Sequence, residues 1–238
     1  MRPIGFSTGA VSRGDFATAL DRLRQESVRV VELSALRLEE LEPLVRALPN
    51  LDLRGFDFVS FHAPSHFAPA DETHVLELLQ RVVERLIPVI VHPNVIFNPD
   101  KWRWMDKFLF IENMDKRMSI GQTARDLAPL FGLFPHARLC CDLGHARQID
   151  PTMTEARLIL DTFRDRIGEI HISDVNTSSR HDPLSLFTMN AFRSVAELIP
   201  EMVPIVLETL VDNGQSDIPT EIERARSSLN FNNQPTLQ

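Results

Sequence analysis

The residues of this 238-residue chain best suited to chemistry are carboxylates and imidazoles that close short apolar runs. Glu32 ends VVE, His62 ends FVSFH, His92 ends VIVH, Glu112 ends FLFIE and Asp142 ends LCCD, with His145 three residues on. His171 and Asp174 lie in IHISD, His181 follows in the next loop, and Glu208 ends VPIVLE. One such residue alone is ordinarily a solvated or hydrogen-bonded loop group. A carboxylate directly after FLFI or PIVL, however, sits against a low-dielectric core, where its charge is costly unless it is paired or bound to a cation. If these endings converge, the mixture of imidazole and carboxylate suits zinc, manganese, iron or cobalt. No thiolate pattern of a structural zinc site accompanies them. Cys140 and Cys141 are adjacent, point to opposite faces of a strand, and read as packing residues in a reducing compartment.

The elements that must position these groups repeat one pattern, an apolar β-branched run followed by an amphipathic stretch. Eight runs are predicted as strands, at 4–8, 28–34, 58–62, 89–92, 108–112, 138–142, 169–174 and 204–208. Between them, Ser12 to Asp15 offers cap candidates before FATALDRLRQE, Asp71 precedes THVLELLQRVVERL, Ser119 precedes IGQTARDLAPLF, and Asp150 with Pro151 opens MTEARLILDTFRDR as helix starts. The spacing is that of parallel strands joined by crossover helices, and runs such as PVIVHP suit strands covered on both faces. The expected fold is α/β, a (β/α)8 TIM barrel, with one domain over 1–229 and a fraying polar tail at 230–238. A doubly wound sheet would place GxGxxG after the first strand, and FSTGAVSRGD does not match it. In a barrel the carboxyl ends of all eight strands meet at one face, which is where the candidate ligands stand.

Taken in order, SFHAP, VHPN, IEN, CDLGHA, HISD, RHDPL and VLET resemble the xylose isomerase-like TIM barrels. That superfamily includes sugar isomerases and epimerases and the zinc-dependent apurinic endonucleases. The resemblance implies a four-ligand metal centre at Glu112, Asp142, His171 and Glu208. It adds His62, His92, His145 and His181 as further metal positions, which in the endonuclease branch complete a three-zinc cluster bridged by Glu112. That branch carries an aspartate where this chain has Ser179, so two ions are expected, with Asp182 the nearby substitute for a third. In the isomerase branch the matching Glu112 and Glu208 exchange the substrate proton, and His145 and Arg180 contact substrate oxygens.

The expected function is therefore a metal-dependent isomerase or epimerase acting on a small sugar or sugar phosphate, with zinc or manganese as one or two bound ions. The alternatives are a zinc-dependent phosphodiester hydrolase and a metal-binding barrel with lost or altered activity. Thirty-three acidic against 25 basic residues give a net charge of −8, which opposes a nucleic-acid partner. No run approaches the ~18 apolar residues of a membrane span, and the start lacks a signal-peptide pattern. A small-molecule partner and a cytoplasmic location are expected, with self-association left open. NPDKWRWMDKF reads as a helix covering the barrel or a lid, Arg81 and Arg85 as a solvated face, and Asp174 as either a partner that orients His171 or a surface loop carboxylate.

Overall fold

In the computed structural model, which describes residues 2–211, 214 and 216–229, the eight apolar runs form the parallel strands of a closed barrel. They are β1 (Ile4–Ser7), β2 (Val30–Ser34), β3 (Phe58–His62), β4 (Val89–Val91), β5 (Leu109–Glu112), β6 (Arg138–Asp142), β7 (Ile167–Ile172) and β10 (Ile205–Leu207). Each pairs with its neighbours, and β1 pairs with both β2 and β10, which closes the ring. An antiparallel hairpin, β8 (Asp174–Val175) with β9 (His181–Asp182), follows β7. The helices are α1 (Thr8–Ser12), α2 (Phe16–Gln25), α3 (Leu38–Ala47), α4 (Glu72–Val83), α5 (Pro99–Trp102), α6 (Ala124–Leu133), α7 (Leu143–Ile149), α8 (Thr154–Thr162), α9 (Leu186–Arg193) and α10 (Ile218–Leu229). This is the (β/α)8 barrel expected from the sequence. The expected fraying of 230–238 lies outside the described residues. No helix among the described residues is long and apolar enough to cross a membrane.

The helix starts follow hydrogen-bond supply. The Asp15 carboxylate accepts from the Thr18 N–H at 3.0 Å, as its position ahead of α2 suggests. The helix expected after Ser119 begins instead at Ala124, where Thr123 and Asp126 form a reciprocal cap. Before that point the chain is still engaged beneath β5, the Met114 N–H donating to the Gly121 carbonyl at 2.8 Å. Similarly, Asp150 spends its carboxylate on the Thr152 and Glu155 N–H groups, both at 3.0 Å, and α8 starts only at Thr154. In the Trp-containing segment, Trp102 is buried and donates to the enclosed Glu72 at 2.9 Å, so the segment is fastened onto α4. Arg81 and Arg85 are exposed, as a solvated helix face requires.

Strand alternation divides the core in two. Phe61, Val91, Ile111, Cys141, Ile172 and Leu207 join the apolar layer beneath the helices. The alternate positions fill the lumen, where, among the described residues, Ile90, Phe110 and Cys140 make a separate apolar cluster. Above that cluster the lumen is polar, unlike the branched aliphatic filling usual for such barrels. The phase of β7 depends on a register shift: Leu139 pairs with Ile167 but Cys140 with Glu169, leaving Gly168 as the extra residue. That shift puts Glu169 and His171 on the lumen side.

A Cβ at Gly168 would lie 2.4 Å from Cε2 of Phe110. Gly168→Ala is expected to destabilise the protein by about 2 to 3 kcal/mol through overpacking. A double-mutant cycle with Phe110→Leu should recover at least ~1 kcal/mol of that loss. Urea denaturation measures both, and strict additivity would show that the contact does not set the strand's phase.

Candidate functional site

Glu112, the last residue of β5, is the hub of the lumen. Its carboxylate is 1% exposed and meets imidazoles from three neighbouring strand ends and from α7. Oε2 lies 3.1 Å from His62 Nε2 and 3.0 Å from His92 Nε2, while Oε1 lies 3.3 Å from His145 Nδ1 and 3.7 Å from His171 Nδ1. Asp142 ends β6 and caps α7, its Oδ1 accepting from the His145 N–H at 2.7 Å. The remaining oxygen, Oδ2, has no hydrogen-bond partner. Asn113 clamps the ends of β5 and β6 together, donating to the Asp142 carbonyl at 2.9 Å and accepting from the Asp142 N–H at 2.8 Å. On the far side, Glu208 follows β10 and lies 3.5 Å from His171 Nδ1 and 3.4 Å from His181 Nδ1.

Two donor sets suited to a divalent cation overlap at Glu112. Glu112, Asp142, His171 and Glu208 each present one ligand atom, all within 4.8 Å of one another, and so do His62, His92 and Glu112. Three buried atoms of the first set, Asp142 Oδ2, His171 Nδ1 and Glu208 Oε2, have no hydrogen bond and only ion-pair contacts of 3.4 to 3.7 Å. Two rings have one nitrogen on a backbone carbonyl, His62 Nδ1 on Ala63 at 2.7 Å and His145 Nδ1 on Asn113 at 3.0 Å. In the neutral ring that nitrogen is the donor, which leaves Nε2 as a lone pair. For His62 the lone pair faces Glu112; for His145 it has no partner.

Burial and mutual contact compete in setting the charges. Burial favours a neutral Glu112, but His92 and hydrogen bonds from His145, His171 and His62 hold its carboxyl well below the usual range. Burial also works against protonation of His62 and His145. Nearby carboxylates overcome it, Glu32 and Glu112 raising His62 to about 9, Asp142 and Glu112 raising His145 to about 10. Burial pushes Glu208 up to about 8 against the pull of His171, and it lowers His92. Without a metal, protons therefore supply the positive charge that this cluster of carboxylates demands.

The strand-end residues named from the sequence thus come together, with two departures among their satellites. Asp174 does not orient His171; it pairs with Arg147 at 3.0 Å, because it belongs to the hairpin beyond the strand end. Ser179 has φ 54 and exchanges hydrogen bonds with Gln148, and Asp182 accepts from Asn176 at 2.8 Å, so neither reaches the cluster as a further ligand. Arg180 is exposed in the β8–β9 turn, and its side chain forms no hydrogen bond or ion pair among the described residues. Sequence reasoning missed Glu169, Ser60 and the clamp of Asn113. Glu169 precedes His171 by two residues, which puts both on one strand face, and that period was the available signal.

No protein-family model and no curated protein matches the chain. Solved structures do match, and they share its (β/α)8 barrel fold. A xylose isomerase-like TIM barrel protein from Mycobacterium smegmatis, in complex with magnesium, is 14% identical with a TM-score of 0.58, over 97% of this chain and 98% of its own. The probable 3-DHS dehydratase AsbF of Bacillus anthracis, involved in petrobactin synthesis, is 14% identical with a TM-score of 0.57, over 95% and 98%. A protein of Anabaena variabilis assigned as a sugar phosphate isomerase/epimerase is 14% identical with a TM-score of 0.54, over 95% and 88%.

A sign follows for stability against pH. In chelator-treated protein, His62 and His145 bind protons more tightly folded than at their ordinary value of about 6.5. Their contribution is complete below that value and is lost as the pH rises through about 9 to 10. Metal ligands must instead be deprotonated. The rise in Tm on adding manganese to chelator-treated protein should therefore grow between about pH 6 and pH 8. Thermal melts across that range check it, and a flat or shrinking increment contradicts it.

Proposed function

We propose that the chain is a divalent-metal-dependent enzyme that moves a proton at the carbon next to a carbonyl, as an isomerase or epimerase of a small sugar or sugar phosphate. The observation that carries this is the placing of Glu112 and Glu208. They come from β5 and β10, separated in the ring by β6 and β7, yet both flank Nδ1 of His171. Glu112, Asp142, His171 and Glu208 would hold the ion, with His62, His92 and Glu112 suited to a second. The donor chemistry fits zinc or manganese, and the unpartnered oxygens and nitrogen aimed at the first set support a cation there. A divalent ion held by these residues would stabilise negative charge developing on adjacent substrate oxygens.

The chain's own groups supply the rest. Glu208 is 12% exposed, and its Oε2, though 3.4 Å from His181 Nδ1, has no hydrogen-bond partner, so this carboxylate could take or return a substrate proton. Glu112 provides the second carboxylate across the lumen. Carboxylates on two sides allow removal on one face and return on the other, or transfer between neighbouring carbons. His145 Nε2 is buried and unpartnered, a fitting contact for a substrate hydroxyl, and Arg180 in the exposed turn would meet a distal oxygen or phosphate. The unpaired buried thiols of Cys140 and Cys141 suit a cytoplasmic location.

One observation favours a phosphodiester hydrolase as the second reading, namely the set of His62, His92 and Glu112 beside the first. The net charge of −8 and the turning of Ser179 toward Gln148 weigh against it. Metal-loaded protein incubated with a panel of ketoses in D2O should exchange the proton next to the carbonyl. Glu112→Gln and Glu208→Gln should each slow that exchange at least ~100-fold, within the range of general acid–base catalysis. Incision of an abasic-site duplex, lost in Glu112→Gln and without exchange into any sugar, would replace this reading by the hydrolase. Absence of both activities together with no stoichiometric metal would favour a scaffold without this activity.

A further inference from the structure

One step deeper in the lumen lies a second buried group that the proposed reaction does not use. Glu32 on β2 and Glu169 on β7 are both fully enclosed. His171 Nε2 lies 3.1 Å from Glu32 Oε2 and 3.3 Å from Glu169 Oε1, while Nδ1 on the other side of the ring faces Glu208 and Glu112. One oxygen of each inner carboxylate is pinned in turn, while Glu32 Oε2 and Glu169 Oε2 have no hydrogen-bond partner. Ser34 Oγ donates to Glu32 Oε1 at 3.1 Å and is itself hydrogen-bonded to Ser7 Oγ at 2.9 Å. Ser60 Oγ donates across the lumen to Glu169 Oε1 at 3.0 Å. In the ring of strands β2 and β7 are separated by β1 and β10, so the two carboxylates approach His171 from different sides.

We propose that Glu32 and Glu169 are positioning residues that hold the Nε2–H of His171 and so commit Nδ1 as the donor to the four-residue centre. A neutral imidazole has one N–H and one lone pair. With the proton on Nε2, the N–H donates to Glu169 Oε1 and lies in ion-pair range of Glu32 Oε2, and the lone pair faces Glu112 and Glu208. In the other tautomer a lone pair would be set against two enclosed carboxylates, neither of which would have the ring as donor. Metal-binding histidines commonly give their second N–H to a carboxylate, and loss of such a partner weakens the metal about 10- to 100-fold. The register shift at Gly168 belongs to this device, since it brings Glu169 into phase with His171. The inference uses the metal reading only for what Nδ1 serves; the orientation of the ring stands apart from it.

A competing use of the same atoms is a cation held by Glu32, Glu169 and His171, whose ligand atoms also lie within 4.8 Å of one another. Such an ion would take the lone pair of Nε2 and exclude the proton, so the two uses are separable. Long-range 1H–15N correlations on histidine-labelled protein, assigned with His171→Gln, should show Nε2 protonated both with and without zinc. Competition with a chelator should show zinc affinity about 10- to 100-fold weaker in Glu32→Ala/Glu169→Ala with stoichiometry unchanged. Glu169→Gln, which keeps an acceptor, should stay within about threefold of the wild type. An unprotonated Nε2 in the wild type, or a zinc equivalent lost in Glu169→Gln, would overturn the proposal. If the double variant does not fold, the wild-type spectra and Glu169→Gln decide. A wild type that binds no zinc but keeps its Nε2–H would defeat the metal reading while supporting the positioning of His171.

Discussion

The constraint on which the rest of this molecule depends is the collection of carboxylates in a lumen that water hardly reaches. Glu32, Glu112, Asp142 and Glu169 are all 1% exposed or less, and Glu208 stands just above them. Any one of them isolated there would cost several kcal/mol. Each is tolerated because the barrel delivers an imidazole or a hydroxyl to it, and Glu112 alone touches four rings. The apolar layer beneath the helices makes the fold stable; the polar lumen makes demands on it, above all for positive charge. Protons on His62 and His145 meet that demand in the bare protein. A divalent ion at Glu112, Asp142, His171 and Glu208 would meet it instead.

Viewed along the barrel axis, the arrangement is layered. Ile90, Phe110 and Cys140 form an apolar floor. Above it Glu32 and Glu169 grip one side of His171, and the other side of that ring joins Glu112, Asp142 and Glu208. The His62 and His92 pair extends the centre along β3 and β4, while the β8–β9 hairpin brings His181 toward Glu208. The hairpin stops there: Ser179 and Asp182 are engaged by Gln148 and Asn176, so the centre gains no acidic ligand from it. The proposed proton transfer between Glu112 and Glu208 would need no ligand from the hairpin, whereas a third ion would.

Much of the site was legible because a polar residue at the end of an apolar run is a local signal, and the barrel converts eight such signals into one cluster. His62, His92, Glu112, Asp142, His171 and Glu208 were visible in that way. Glu169 and Ser60 were harder to see, for they lie within strands and their direction depends on alternation and, for Glu169, on the shift at Gly168. Of the two readings of Asp174 the loop carboxylate holds, because the strand expected to include it ends at Ile172 and a separate hairpin begins. The start of α6 was misplaced because Ser119 is a good cap by type, whereas the backbone there is held by the Met114–Gly121 hydrogen bond. Such long-range commitments leave no mark in a local pattern.

The central claim is that the four strand-end donors hold a divalent ion. It is tested most directly by anomalous diffraction at the manganese edge from crystals grown with manganese. The account predicts a peak bound by Glu112, Asp142, His171 and Glu208 together, with ligand distances of roughly 2.0 to 2.3 Å. A difference map with no anomalous peak at these residues under saturating manganese, the lumen histidines remaining paired to carboxylates, would contradict it.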